Sequence, residues 1–79
     1  MKVEREVNVK NIRDFHTSLK RELDKNSEII LDFTDTVRID SSAAQVIISA
    51  MTRAAVLNKK ISITGASPEM KALLSLAGL

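Results

Sequence analysis

Glu28-Ile29-Ile30-Leu31-Asp32-Phe33 is the stretch on which the fold turns. Its unbroken apolar run follows a polar turn, Asp24 to Ser27, and reads as a central strand covered on both faces. Upstream, Val3-Glu4-Arg5-Glu6-Val7-Asn8-Val9 has the period-two, β-branched character of a half-exposed strand. Asn11 then caps a helix on which Ile12, Phe15, Leu19 and Leu23 recur at helical spacing, with Arg13, Lys20, Arg21 and Lys25 on its solvated side. Downstream, a short connection from Thr34 to Asp40 leads into a second helix beginning near Ser41. Its apolar stripe is Ala43, Val46, Ile47, Ala50, Met51, Ala54 and Leu57, and Asn58-Lys59 stops it. Ile61-Ser62-Ile63-Thr64 is a further strand, closed by Gly65. Ser67-Pro68 places an N-cap before a proline at the first helical position, and Met70, Leu73, Leu74 and Ala77 follow before Gly78, a C-terminal stop.

The order βαβαβα predicts an α/β fold: a largely parallel sheet of three to four strands with helices over about 11–24, 42–57 and 68–77. The core is expected to hold Phe15, Leu19, Ile30, Leu31, Val46, Ile47, Met51, Ile61, Ile63 and Leu73. So small a sheet leaves both edges open, and open edges either pair or need covering.

Composition narrows the function. The chain has 79 residues, of which 44% are hydrophobic and 28% charged, the profile of one ordinary small globular domain. It has no cysteine, which removes disulfides, thiolate metal sites and thiol nucleophiles and fits a cytoplasmic location. No apolar run reaches about 18 residues, so no membrane insertion is expected, and the opening MKVEREVNVK lacks the apolar core of a secretory leader. Twelve basic against ten acidic residues leave a formal charge of +2. The basic residues are dispersed and the aromatics are Phe15 and Phe33 alone, so the pattern of a nucleic-acid surface is missing.

Catalytic readings fare poorly. Asp32 at a strand end has the position of a phosphoryl-accepting aspartate, but such phosphatases carry their second aspartate two residues on, whereas Asp35 is three away. Both are better read as loop-capping carboxylates. Thr64-Gly65-Ala66-Ser67 lacks the further glycines with which a nucleotide loop approaches a pyrophosphate. His16 has neither a second histidine nor a cysteine for a metal, and reads as a boundary or surface residue. No catalytic residue, metal site or cofactor is expected. There remains Val37-Arg38-Ile39-Asp40-Ser41-Ser42-Ala43-Ala44, which sets an aspartate and two serines where a helix starts. Any of the three can cap the helix, and a phosphate on a serine there would meet first-turn amides and the positive end of the helix dipole.

On these residues the sequence resembles the STAS domain, the fold of bacterial anti-sigma-factor antagonists. The matching stretches are Ile29 to Thr34, Val37 to Ser42, the helix through Met51, Ile61 to Gly65 with Ser67-Pro68, and Leu73 to Leu79. The family pattern is a hydrophobic strand ending Asp-Leu-Ser, a turn, Ile-Asp-Ser-Ser-Gly, and a last helix closing on Gly-Leu. Ala43 stands at the usual glycine, and the single STAS-like domain, 1–79, looks short at both ends, without an opening and a closing strand. The resemblance implies a regulatory protein. By it, Ser41 is the residue phosphorylated by a partner anti-sigma factor acting as a serine kinase. Asp32, Asp40, Ser41, Ser42 and Ala43 form the partner-binding surface. Two other classes of STAS domain are implied as alternatives: a non-catalytic subunit docked on the ATPase of a lipid-transport ABC complex, and a chemotaxis-associated module. A homodimer is a further expectation.

Overall fold

The strand expected at 28–33 forms, but only one of its faces is covered. A computed structural model describes residues 1–76. Its elements are β1 (Glu6–Val7), α1 (Ile12–Lys25), β2 (Glu28–Asp32), β3 (Arg38–Ile39), α2 (Ser41–Val56), β4 (Lys60–Thr64) and α3 (Pro68–Leu76). In β2, Ile29 and Leu31 are buried while Ile30 between them is 48% exposed. The alternate residues Glu6, Glu28 and Arg38 are exposed as well. The helices therefore cover the face that carries Ile29 and Leu31, and the other face meets solvent. The expectation of a doubly covered strand, with Ile30 in the core, is corrected. Three helices in so short a chain suffice for one layer against the sheet, and Ile30 faces outward by the strand's own alternation.

All strand pairings are parallel. β2 pairs with β4 in the register Glu28 opposite Lys60 through Asp32 opposite Thr64, and β1 pairs with β3 through Glu6–Arg38 and Val7–Ile39. The N-terminal segment joins the two ladders. Lys2 bridges to Asp32, with the Val3 amide donating to the Asp32 carbonyl at 2.9 Å and the Asp32 amide to the Met1 carbonyl at 2.9 Å. The order across the molecule is thus β3, β1 with the N-terminal segment, β2, β4.

The first strand is shorter than its alternation predicts, because two asparagines turn the chain. The Asn8 amide donates to Asn11 Oδ1 and the Lys10 amide to Asn8 Oδ1, both at 2.9 Å, which throws Val9 out of the sheet to 72% exposure. Asn11 does precede α1, but its side chain makes no cap bond; its amide nitrogen donates back to the Glu6 carbonyl at 2.7 Å. The end of α2 is better specified. Asn58 adopts φ 57°, the Asn58 amide donates to the Ala55 carbonyl and the Lys59 amide to the Ala54 carbonyl, a Schellman closure. Ser67 caps α3 as its sequence predicts, accepting from the Met70 amide at 3.2 Å. The last expected helical residue, Ala77, and the stop at Gly78 lie outside the described residues.

The core comprises Val3, Val7, Phe15, Leu19, Leu23, Ile29, Leu31, Phe33, Ile39, Ala43, Ala44, Ile47, Ala54, Met70 and Leu74. Of the expected set, Val46, Met51, Ile61, Ile63 and Leu73 pack against it half-buried. Leu57, counted on the α2 stripe, is exposed. Among the described residues no helix is long and apolar enough to cross a membrane.

Candidate partner-binding site

The start of α2 is built by β3 and fixed by one carboxylate. Ile39 is buried and anchors the strand, and the Asp40 amide donates to the Val7 carbonyl at 3.1 Å. Asp40 itself is extended, φ −102° and ψ −178°, the geometry of an N-cap. Its Oδ1 accepts the Ala43 amide at 3.0 Å and the Ser42 hydroxyl at 2.5 Å. These donors pull its carboxyl below the usual aspartate range, the Ser42 hydroxyl contributing most and the Ala43 amide next, with backbone amides of Ser42 and Val9 adding to them. Partial desolvation opposes the shift without reversing it.

The two serines are thereby separated in role. Ser42 is half-buried and bonded to Asp40, whereas Ser41 is exposed, and among the described residues its hydroxyl makes no hydrogen bond. Ala43 is fully buried, so the helix start lies directly against the core. Val9 lies two residues beyond Val7, whose carbonyl accepts the Asp40 amide, and it is 72% exposed. Its exposure is not legible in a period-two reading. The bracketing pair Asn8 and Asn11, both turn formers, is the signal that finds it.

Asp32 makes no hydrogen bond to these residues among those described. Its Oδ1 accepts the Thr34 amide at 2.9 Å and the Thr34 hydroxyl at 2.5 Å, an Asx turn closing β2. The Thr34 hydroxyl is the main cause of its lowered carboxyl pKa, followed by the Thr34 amide, with the Lys2 and N-terminal charges as lesser ones. Asp35 pairs with Lys2 at 2.5 Å on the open surface. Among the described residues no hydrogen bond joins Asp32 to Asp40, and no group of three His, Asp or Glu side chains is placed to hold a metal ion.

A family model described as "Mlab, STAS domain" matches residues 1–79. The chain belongs to the STAS-domain family. No curated protein matches it. The family fits a regulatory or partner-binding module, and the α/β architecture, three helices and four short strands among the described residues, agrees with a small STAS domain.

Proposed function

We propose that this STAS domain is a non-catalytic regulatory module that docks a partner through the start of α2, and that a serine kinase switches it at Ser41. One observation carries the reading: at that helix start Asp40 and Ser42 are bonded to each other, Ala43 is buried, and Ser41 alone offers an exposed, unengaged hydroxyl. Val9, two residues beyond the Val7 carbonyl that accepts the Asp40 amide, is exposed as well and is an apolar residue a partner could bury. An anti-sigma factor with kinase activity is a partner of the right chemistry, since it brings ATP and needs no catalytic group from this chain.

The electrostatics favour a switch that leaves the fold intact. A phosphate adds roughly −1.5 to −2 charges near neutral pH. The ionised Asp40 already takes up the Ala43 amide, so the phosphate meets a carboxylate where it would otherwise find a free donor. The helix dipole returns only about 0.3–1 kcal/mol. The phosphate deepens the negative charge of a surface that already carries Asp40, while the buried Ala43, Ala44 and Ile47 beneath it are untouched.

The test is phosphosite mapping by mass spectrometry after incubation with a candidate anti-sigma kinase and ATP. Phosphate on Ser41 with loss of the complex supports the switch. Phosphate confined to Ser42 counts against it. A second reading, a permanent subunit docked on the ATPase of a lipid-transport ABC complex, draws on the Mlab designation of the matched family. An unmodified chain that copurifies with such an ATPase is the result that selects it.

A further inference from the structure

β4 (Lys60–Thr64) has one neighbour, β2, and its other edge is unpaired among the described residues. The phase of the ladder follows from its two end bonds. The Lys60 amide donates to the Ser27 carbonyl at 3.0 Å and the Phe33 amide to the Thr64 carbonyl at 2.8 Å. Main-chain groups of Lys60, Ser62 and Thr64 therefore face β2, and those of Ile61 and Ile63 point away from it. Among the described residues no hydrogen bond reaches the amide or carbonyl of either isoleucine. Their side chains are half-buried, although they lie on the helix-covered face. The opposite edge, β3, is only two residues long. An unpaired strand edge flanked by partly exposed isoleucines is a template for another strand.

The edge is self-complementary. Ile61-Ser62-Ile63 reads the same in both directions, and the register centred on Ser62 is the one that pairs all five residues of the strand with themselves. We infer that β4 pairs antiparallel with β4 of a second copy of this chain, about a two-fold axis passing between the two Ser62 residues. Ile61 then lies opposite Ile63 of the second copy, and the two symmetry-related pairs exchange four main-chain hydrogen bonds, because these are the residues whose polar groups point outward. Lys60 falls opposite Thr64 of the second copy, so the two lysines stay at opposite ends of the joint ladder. A shift that centred the axis on Lys60 would set like charges face to face. The surface lies away from the start of α2 in the chain, and its test is independent of the proposed switch.

The absence of cysteine gives the test a clean background. Directly opposed residues of a non-hydrogen-bonded antiparallel pair have Cα atoms about 4.5 Å apart, within the roughly 4.4–6.8 Å that a disulfide spans. Ser62→Cys places one thiol of each copy at that distance, whereas Thr64→Cys places them at opposite ends of the ladder. Under mild oxidation Ser62→Cys is expected to form the covalent dimer roughly tenfold or more faster than Thr64→Cys. Sedimentation equilibrium supplies a second readout that needs no change at Ser62. Thr64→Lys, facing Lys60 at two symmetric positions, should weaken self-association by roughly two- to thirtyfold, and Thr64→Glu should strengthen it by a similar factor. Equal cross-linking of the two cysteine variants overturns the inference. So does a chain that stays monomeric at every concentration, or self-association indifferent to the charge at position 64.

Discussion

The hydroxyl of Ser42 donates to the carboxylate of Asp40 at 2.5 Å, on the same oxygen that accepts the Ala43 amide. One oxygen thus closes the first turn of α2 and holds Ser42 inward. The neighbouring Ser41 is left as the serine that another protein can reach. The i and i+2 spacing of Asp40 and Ser42 builds this division of roles, which a run of three capping residues does not announce by composition alone.

That bond has a consequence for acid stability. Asp40 and Asp32 are both held below the ordinary aspartate pKa by hydroxyl and amide donors. A carboxyl whose folded pKa is depressed stabilises the fold above its unfolded value of about 3.9 and loses that contribution as pH falls through the folded pKa. Melting temperature should therefore be flat from neutral pH down to about 4 and drop below it. Asp40→Asn keeps a good capping side chain and removes the titration. It should melt close to wild type at neutral pH and show a shallower acid limb. Superimposable acid limbs would mean that the Asp40 hydrogen bonds do not favour the folded state.

Gly65 and Thr34 give a second, purely steric prediction. Gly65 has φ +72°, and a Cβ there would sit 2.6 Å from the Thr34 hydroxyl, 2.7 Å from its amide nitrogen and 2.9 Å from its Cα. Two of those atoms are backbone and cannot rotate aside. Gly65→Ala therefore combines a strained left-handed backbone, about 1–3 kcal/mol, with a forced separation of β4 from the end of β2. Chemical denaturation should show a loss of at least about 1 kcal/mol. An unchanged midpoint would place the Gly65 turn differently.

Adjacent residues of β2 provide an internal contrast. Leu31 is fully buried and Ile30 is 48% exposed. Leu31→Ala should cost about 2–5 kcal/mol, a large share of the stability of so small a domain. Ile30→Thr keeps the β-branch and should stay within about 0.5 kcal/mol of wild type. Comparable losses at both positions would mean that the second face of the sheet is covered after all.

This contrast marks where sequence reading ran out. Helices α1, α2 and α3 were legible because each carries an apolar stripe at helical spacing, and α3 a Ser-Pro start as well. The parallel order followed from the alternation of elements. Ile29-Ile30-Leu31 was not resolvable, since three apolar residues in a row look alike whether one face is packed or two. What decides is the number of helices available to cover a second face, a property of the whole chain. Likewise, Val9 continues the valine pattern of the first strand and is expelled by hydrogen bonds of Asn8 and Asn11, which periodicity does not register. At the site, Asp40, Ser41, Ser42 and Ala43 are brought together by adjacency alone. Asp32 belongs with them only by what the resemblance implies, and its own hydrogen bonds, to Thr34, carry no trace of that role in either direction.

The docking surface yields the remaining prediction. If the start of α2 is the contact, affinity for a captured partner should respond to Ser41 and Val9 and ignore the far end of the helix. Ser41→Asp brings one negative charge next to an ionised Asp40 and should weaken binding by roughly five- to 150-fold, about 1–3 kcal/mol. Ser41→Ala removes an unengaged hydroxyl, so it should bind like wild type and resist phosphorylation. Val9→Ala deletes two methyl groups from an exposed apolar side chain and should cost about 1–2 kcal/mol if the partner buries them. Val56, 77% exposed at the other end of α2, serves as the control, and Val56→Ala should leave binding unchanged. Titration calorimetry of the four variants against one partner preparation reads all of these. Equal affinities for Ser41→Asp and Ser41→Ala would reduce Ser41 to an ordinary first-turn residue, and an intact response at Val9 would then keep the helix start as the contact while transferring the assignment to the permanently docked class.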